Sequence, residues 1–154
     1  MMDGNFKYEV ASRPGAAFFK RCFSCGTCTA SCPVSEIDET FNPRLIIRQA
    51  LLGMKKDLLS SELLWFCAQC YTCSARCPQD VRFTDVMAVL RDLAVEQGFA
   101  PARMKEGIPR VDAMAQSLRH GIAEYLWKCA HGEQTGETEK RLQNELKKGL
   151  KELA

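Results

Sequence analysis

Cys22-Phe23-Ser24-Cys25-Gly26-Thr27-Cys28-Thr29-Ala30-Ser31-Cys32-Pro33 returns further along the chain as Cys67-Ala68-Gln69-Cys70-Tyr71-Thr72-Cys73-Ser74-Ala75-Arg76-Cys77-Pro78. Both copies read C-x₂-C-x₂-C-x₃-C-P, and Thr27/Thr72 and Ala30/Ala75 also match in register. Three thiolates at this pitch can cap three corners of an iron–sulfur cube, and the spacing is that of bacterial [4Fe–4S] runs. Where two runs share a domain, the fourth cysteine of each ligates the other cluster. The expected ligand sets are therefore Cys22, Cys25, Cys28 and Cys77 for one cluster, and Cys67, Cys70, Cys73 and Cys32 for the other. Two such centres in one chain point to electron transfer.

Two other chemistries use grouped cysteines. Structural zinc takes Cys₄ sites, but zinc ribbons present two separated pairs, and four thiols in one short run fit that tetrahedron poorly. A zinc-stapled assembly adaptor without redox activity is accordingly the alternative from another class. A disulfide framework suits a short secreted chain with an even cysteine count. The first residues here, Met1 to Glu9, are polar and lack the apolar core of a secretory leader. Reduced, metal-bound thiolates in this number are expected in the cytoplasm.

Outward from the two runs, the pattern is helical. Asn42-Pro43 offers a cap and a proline for the first helical position. Leu45, Ile46, Ala50 and Leu52 recur near helical pitch, and Gly53 is placed to stop the helix. Ser60 to Trp65 reads as a second short helix entering Cys67. Thr84 to Gln97 has Val86, Leu90, Leu93 and Ala94 on one face, with Arg91, Asp92 and Glu96 predicted to face away; Gly98 and Pro101 follow as stop signals. No segment alternates with period two over a strand's length, which excludes the small β-ferredoxin pattern. The fold class predicted is all-α: an N-terminal arm (1–17), an α-helical ferredoxin domain with two [4Fe–4S] clusters (18–108), and a helical C-terminal extension (109–154). Within the extension, Val111 to Leu118 and Ile122 to Cys129 suggest two helices. After a turn-rich break, Leu142, Leu146, Leu150 and Leu153 form a narrow stripe suited to docking on a partner or on the chain itself.

Around the runs, Gly26 would let the backbone approach a cube, and Pro33 and Pro78 would direct the chain away from it. Arg21, Arg76 and Arg82 flank the cysteines as candidate stabilisers of a reduced cluster, and Phe23, Trp65, Phe66 and Tyr71 as candidate shields against water. Cys129, the ninth cysteine, reads as a small buried hydrophobe, and His120 and His131 as surface residues. No acid–base pair, activated nucleophile or phosphate-cradling loop is present, so no catalytic residue is assigned. The formal charge of +2 counts every cysteine as neutral; eight thiolates and two oxidised cores bring the loaded chain to about −2. With arginines scattered, nothing favours nucleic acid. No apolar stretch approaches the roughly 20 residues that span a bilayer, so no direct membrane insertion is expected.

Phe-Ser-Cys-Gly-Thr-Cys-Thr-Ala-Ser-Cys-Pro (23–33), Asn-Pro-Arg (42–44), Leu-Trp-Phe-Cys-Ala-Gln-Cys-Tyr-Thr-Cys-Ser-Ala-Arg-Cys-Pro (64–78) and Leu-Arg-Asp-Leu-Ala-Val-Glu-Gln-Gly (90–98) resemble the C subunit of heterodisulfide reductase over about residues 18 to 105. The resemblance implies a helical two-cluster protein working between a flavin-containing A subunit and a thiol–disulfide-active B subunit, with the same eight cysteines as ligands. In methanogens the family's substrate is the coenzyme M–coenzyme B heterodisulfide, which this chain alone would not bind. A further reading is the iron–sulfur subunit of another dehydrogenase, acting on glycolate, glycerol 3-phosphate or succinate.

Overall fold

Asn42 starts the connector between the cysteine runs through its own side chain. Its Oδ1 accepts from the Leu45 amide at 3.2 Å, Pro43 takes the first helical position, and helix α4 runs Pro43–Leu51. Ile46, Ile47 and Ala50 turn into the core. Gly53 follows at φ +76°, a left-handed stop that also brings its carbonyl to the Asp3 amide at 2.7 Å. A Cβ at position 53 would strike the Asp3 backbone, so this end of the helix pins the start of the chain.

The computed structural model describes residues 2–153; Met1 and Ala154, the extreme ends of the expected arm and extension, lie outside the described residues. The protein is 66% helical, with no strand among the described residues. α4 is preceded by α1 (Phe6–Ala11), α2 (Thr27–Ala30) and α3 (Pro33–Ile37), and followed by α5 (Lys55–Leu59), α6 (Thr72–Ala75) and α7 (Phe83–Glu96). Single 3₁₀ turns, Phe19–Arg21 and Glu62–Trp65, lead into the two cysteine runs. Ser61 caps the second turn by accepting from the Leu63 amide at 3.2 Å.

The first compact unit, Met1–Lys105, is built on α7. Phe83, Val86, Met87, Leu90, Leu93 and Ala94 are buried along it, and it packs on α1, α5, α6 and the Glu62–Trp65 turn. Burying each large apolar side chain contributes about 1.5–3 kcal/mol relative to exposure. The helix stops where expected, with Gly98 at φ +73°. Arg91 departs from expectation. It is only 4% exposed, because its long side chain reaches back to the chain entering the second cysteine run. Two long-range ion pairs, Arg13 with Glu96 and Lys55 with Glu9, fasten the N-terminal arm.

The second unit, Glu106–Ala154, holds the rest of α8 (Ala102–Ala130) and α9 (Gly136–Leu153). Where the pattern suggested two helices, α8 is continuous through Pro109, which forgoes one backbone hydrogen bond. Within it Gly121 leaves room for α9: a Cβ there would meet Leu142, and one at Gly149 would meet Met114. Ser117 donates to Glu145 at 3.0 Å, and Lys128 donates to the buried Thr138 at 2.9 Å. The stripe on α9 thus packs on its own chain at Leu142, while Leu146 and Leu150 stay exposed.

Hydrogen bonds from Lys128 and Arg141 hold the Glu124 carboxyl at about 2, below its usual 4.5. A carboxylate lowered in the folded state stabilises it fully above about pH 4.5 and loses that contribution as pH falls toward 2. Amide exchange in α8 and α9, corrected for the intrinsic rate, is expected to quicken over that interval in the native chain. In Glu124→Gln the acid dependence should flatten; an unchanged profile would contradict the ion-pair account.

Candidate iron–sulfur centre

The two cysteine runs share a backbone as well as a spacing. Ser24 and Gln69, at equivalent positions, have φ of 60° and 49°, and the next equivalent pair, Gly26 and Tyr71, has 87° and 58°. Left-handed conformations cost a non-glycine residue on the order of 1 kcal/mol or more, so their recurrence in register marks a shape the site demands. The shape turns donors toward sulfur. The Ser24 amide donates to Cys22 Sγ at 3.4 Å, and the Gln69 amide bonds the Cys67 sulfur in the same way. Hydroxyls stand at sulfur in both runs: Thr27 Oγ1 lies 3.3 Å from Cys25 Sγ, and Cys70 Sγ donates to Thr72 Oγ1 at 3.5 Å. Thr84 meets Cys73 at 3.5 Å, and the Val81 amide donates to Cys77 at 3.4 Å. Such bonds to ligand sulfur tune reduction potential.

Each run then opens a single helical turn, and these turns, α2 and α6, pack on each other. That contact brings the halves of the chain together. One cavity is lined by Cys22, Cys25, Cys28, Cys73 and Cys77, with Ile47, Val81 and Phe83 as apolar wall. Cys67 in turn lies within electrostatic reach of Cys73 and Cys32. Cys32 and Cys73 are buried, Cys25 and Cys70 exposed, and the other four half-buried.

The thiols ring a space; they do not converge on a point. Among the described residues no three His, Cys, Asp or Glu side chains stand close enough to hold a single metal ion. Thiols spread around a cavity suit a multi-iron body whose corners are capped separately. Burial pushes the Cys28 and Cys67 thiols up, while the Thr27 hydroxyl and amide pull Cys25 down. Ligands must ionise, so loading the site releases protons.

Several expectations need correction. Phe23, Tyr71 and Phe66 are 60%, 54% and 40% exposed and Trp65 is half-buried against the core; Phe23 still lines the first cavity, whose buried wall is Phe83, Val81 and Ile47. Arg82 is exposed and paired with Asp80 at 3.0 Å, Arg21 lies over Phe18, and Arg76 is exposed. Two other arginines stand at the thiols. Arg44 lines the first cavity beside Gly26, and Arg91 is buried beside Cys67. Asn42-Pro43-Arg44 was legible as a cap but not as a brace. Thr29, next to Cys28, donates to Asn42 Oδ1 at 2.9 Å and accepts from the Arg44 amide at 3.1 Å. Cys129 is exposed, contrary to its reading as a buried hydrophobe.

Two duplicated cysteine wraps on a strand-free helical frame define an α-helical ferredoxin domain that binds two [4Fe–4S] clusters and transfers electrons. A family model described as a 4Fe-4S dicluster domain matches residues 18–81. The chain is 35% identical over 125 residues to the C subunit of the ferredoxin:CoB–CoM heterodisulfide reductase of Methanosarcina mazei, covering 81% of this chain and 67% of that protein. It is 46% identical over 89 residues to the C2 subunit of the H₂/formate:CoB–CoM heterodisulfide, ferredoxin reductase of Methanococcus maripaludis (58% and 47% covered). With the second iron–sulfur C subunit of the CoB–CoM heterodisulfide reductase of Methanocaldococcus jannaschii it shares 44% over 79 residues (51% and 41% covered). The chain belongs to the family of heterodisulfide reductase C subunits. It spans about half the length of the Methanococcus maripaludis and Methanocaldococcus jannaschii subunits. No helix among the described residues is long and apolar enough to cross a membrane.

Proposed function

We propose that this chain relays electrons between a flavin-containing protein of the A type and a thiol–disulfide-active protein of the B type in a heterodisulfide-reductase-type complex. Cys22, Cys25, Cys28 and Cys77 hold one cluster; Cys67, Cys70, Cys73 and Cys32 hold the other. The observation that carries the reading is that each cysteine run presents one exposed thiol, Cys25 and Cys70, while the rest are buried or half-buried. A relay needs an accessible edge at each centre, and exposed Phe23 and Tyr71 beside those edges offer apolar surface for a neighbour. When bound, the clusters supply reversible one-electron chemistry. The residues of this chain supply the rest: thiolates that bind, amides and hydroxyls that bond the sulfurs, and an apolar wall that keeps water from one side.

The test is anoxic purification of the tagged chain from its own host. The expected result is about eight iron and eight acid-labile sulfide per chain, with reducible clusters and copurifying A-like and B-like proteins. A colourless, zinc-loaded protein would sink the reading, and so would stable copurification with an unrelated dehydrogenase flavoprotein.

A further inference from the structure

Among the described residues, Arg91 is the one buried charged side chain. Its Nε donates to the Leu64 carbonyl at 2.6 Å and its Nη2 to the Cys67 carbonyl at 3.0 Å, and its guanidinium faces the Trp65 ring at 5.9 Å. It projects from α7, the most deeply packed helix of its unit, so the charge is held rigidly. Taking a guanidinium out of water is costly, and the two hydrogen bonds to carbonyls offset part of that cost. A buried cation is also screened far less than an exposed one. The first cavity has an arginine too, Arg44, but that side chain is exposed and its field is damped by solvent. The two halves of an otherwise duplicated site therefore differ in electrostatics.

We infer that Arg91 is a positioning residue that fixes the chain entering the second cysteine run and gives the cluster held there the higher reduction potential of the pair. One electron added to a [4Fe–4S] centre makes the site one unit more negative, and a rigid cation beside Cys67 favours that state. The first electron the chain accepts then resides with Cys67, Cys70, Cys73 and Cys32. The inference rests on the ligand sets proposed above.

The test is a redox titration of the loaded, anoxic full chain followed by electron paramagnetic resonance. Cys70→Ser and Cys25→Ser each perturb one step and so assign the two steps to their runs. In Arg91→Gln the step assigned through Cys70 is expected to move to lower potential by about tenfold in electron affinity, 59 mV for a one-electron couple. The Cys25 step, and both steps in Arg44→Gln, should move less. If Arg91→Gln keeps its iron and neither step moves, or the Cys25 step moves instead, the inference is overturned. If that variant loses iron, Arg91→Lys decides. It keeps the charge and is expected to load and hold the native potential; failure to load, or a lowered potential, shows a purely structural role and overturns the inference. A Cys70→Ser chain with both steps unmoved would instead refute the ligand sets, a separate failure that removes the basis of the inference as well.

Discussion

Replacing Cys77 with alanine is expected to remove the cluster bound by the first cysteine run, not that of its own run, with iron falling from about eight to about four atoms per chain. The reason is the cavity that gathers Cys22, Cys25 and Cys28 with Cys77 and Cys73 of the second run, while Cys67 has Cys73 and Cys32 as its electrostatic neighbours. Proof of the crossing needs the survivor identified. In the Cys77→Ala background, Cys70→Ser should change the spectrum of the remaining cluster and Cys25→Ser should leave it alone. The reverse pattern would mean that each run closes its own cluster. The crossing has a mechanical sense: a chain stapled twice between its halves cannot open one site without straining the other.

Phe41→Ala is expected to destabilise the first unit by about 3–5 kcal/mol, the usual cost of truncating a buried phenylalanine. Phe41 is fully buried and meets Phe83 edge to face at 6.5 Å and 70°. Its carbonyl is bonded by the Ser35 hydroxyl at 2.7 Å, which holds the segment after α3 in place. Phe83 in turn forms part of the wall of the first cavity. The loss should therefore appear twice. The thermal midpoint should fall by roughly 10 °C or more, and a chelator should strip iron several times faster than from the native chain. A midpoint within a few degrees of native, with unchanged iron release, would show that this wall does not depend on Phe41. Since cluster loss is irreversible, the rate is the more faithful readout.

Much of this fold could be read from local chemistry. Asn42, Pro43, Gly53 and Gly98 act within a few residues of themselves, and their caps and stops stand where the pattern puts them. The dicluster character and the all-helical class follow from spacing and from the missing period-two alternation. What escaped is what depends on distance along the chain. Arg91 sits at a position whose neighbours favour exposure, and only the packing of α7 against the Glu62–Trp65 turn shows where its head goes. Gly121 lies inside α8 where a Cβ would meet Leu142 of α9, a contact that no local rule can supply. Cys129 failed in the opposite sense: an apolar helical face predicted cover, and in this chain that face is open, with Ile122 and Leu126 also more than half exposed.

The left-handed pairs Ser24/Gln69 and Gly26/Tyr71 carry one more implication. Because both wraps are cast in the same mould, the main chain makes no distinction between an entrance and an exit. Polarity in such a conductor belongs to its side chains, so a lineage could reverse the preferred course of current through a handful of substitutions while the frame stayed as it was.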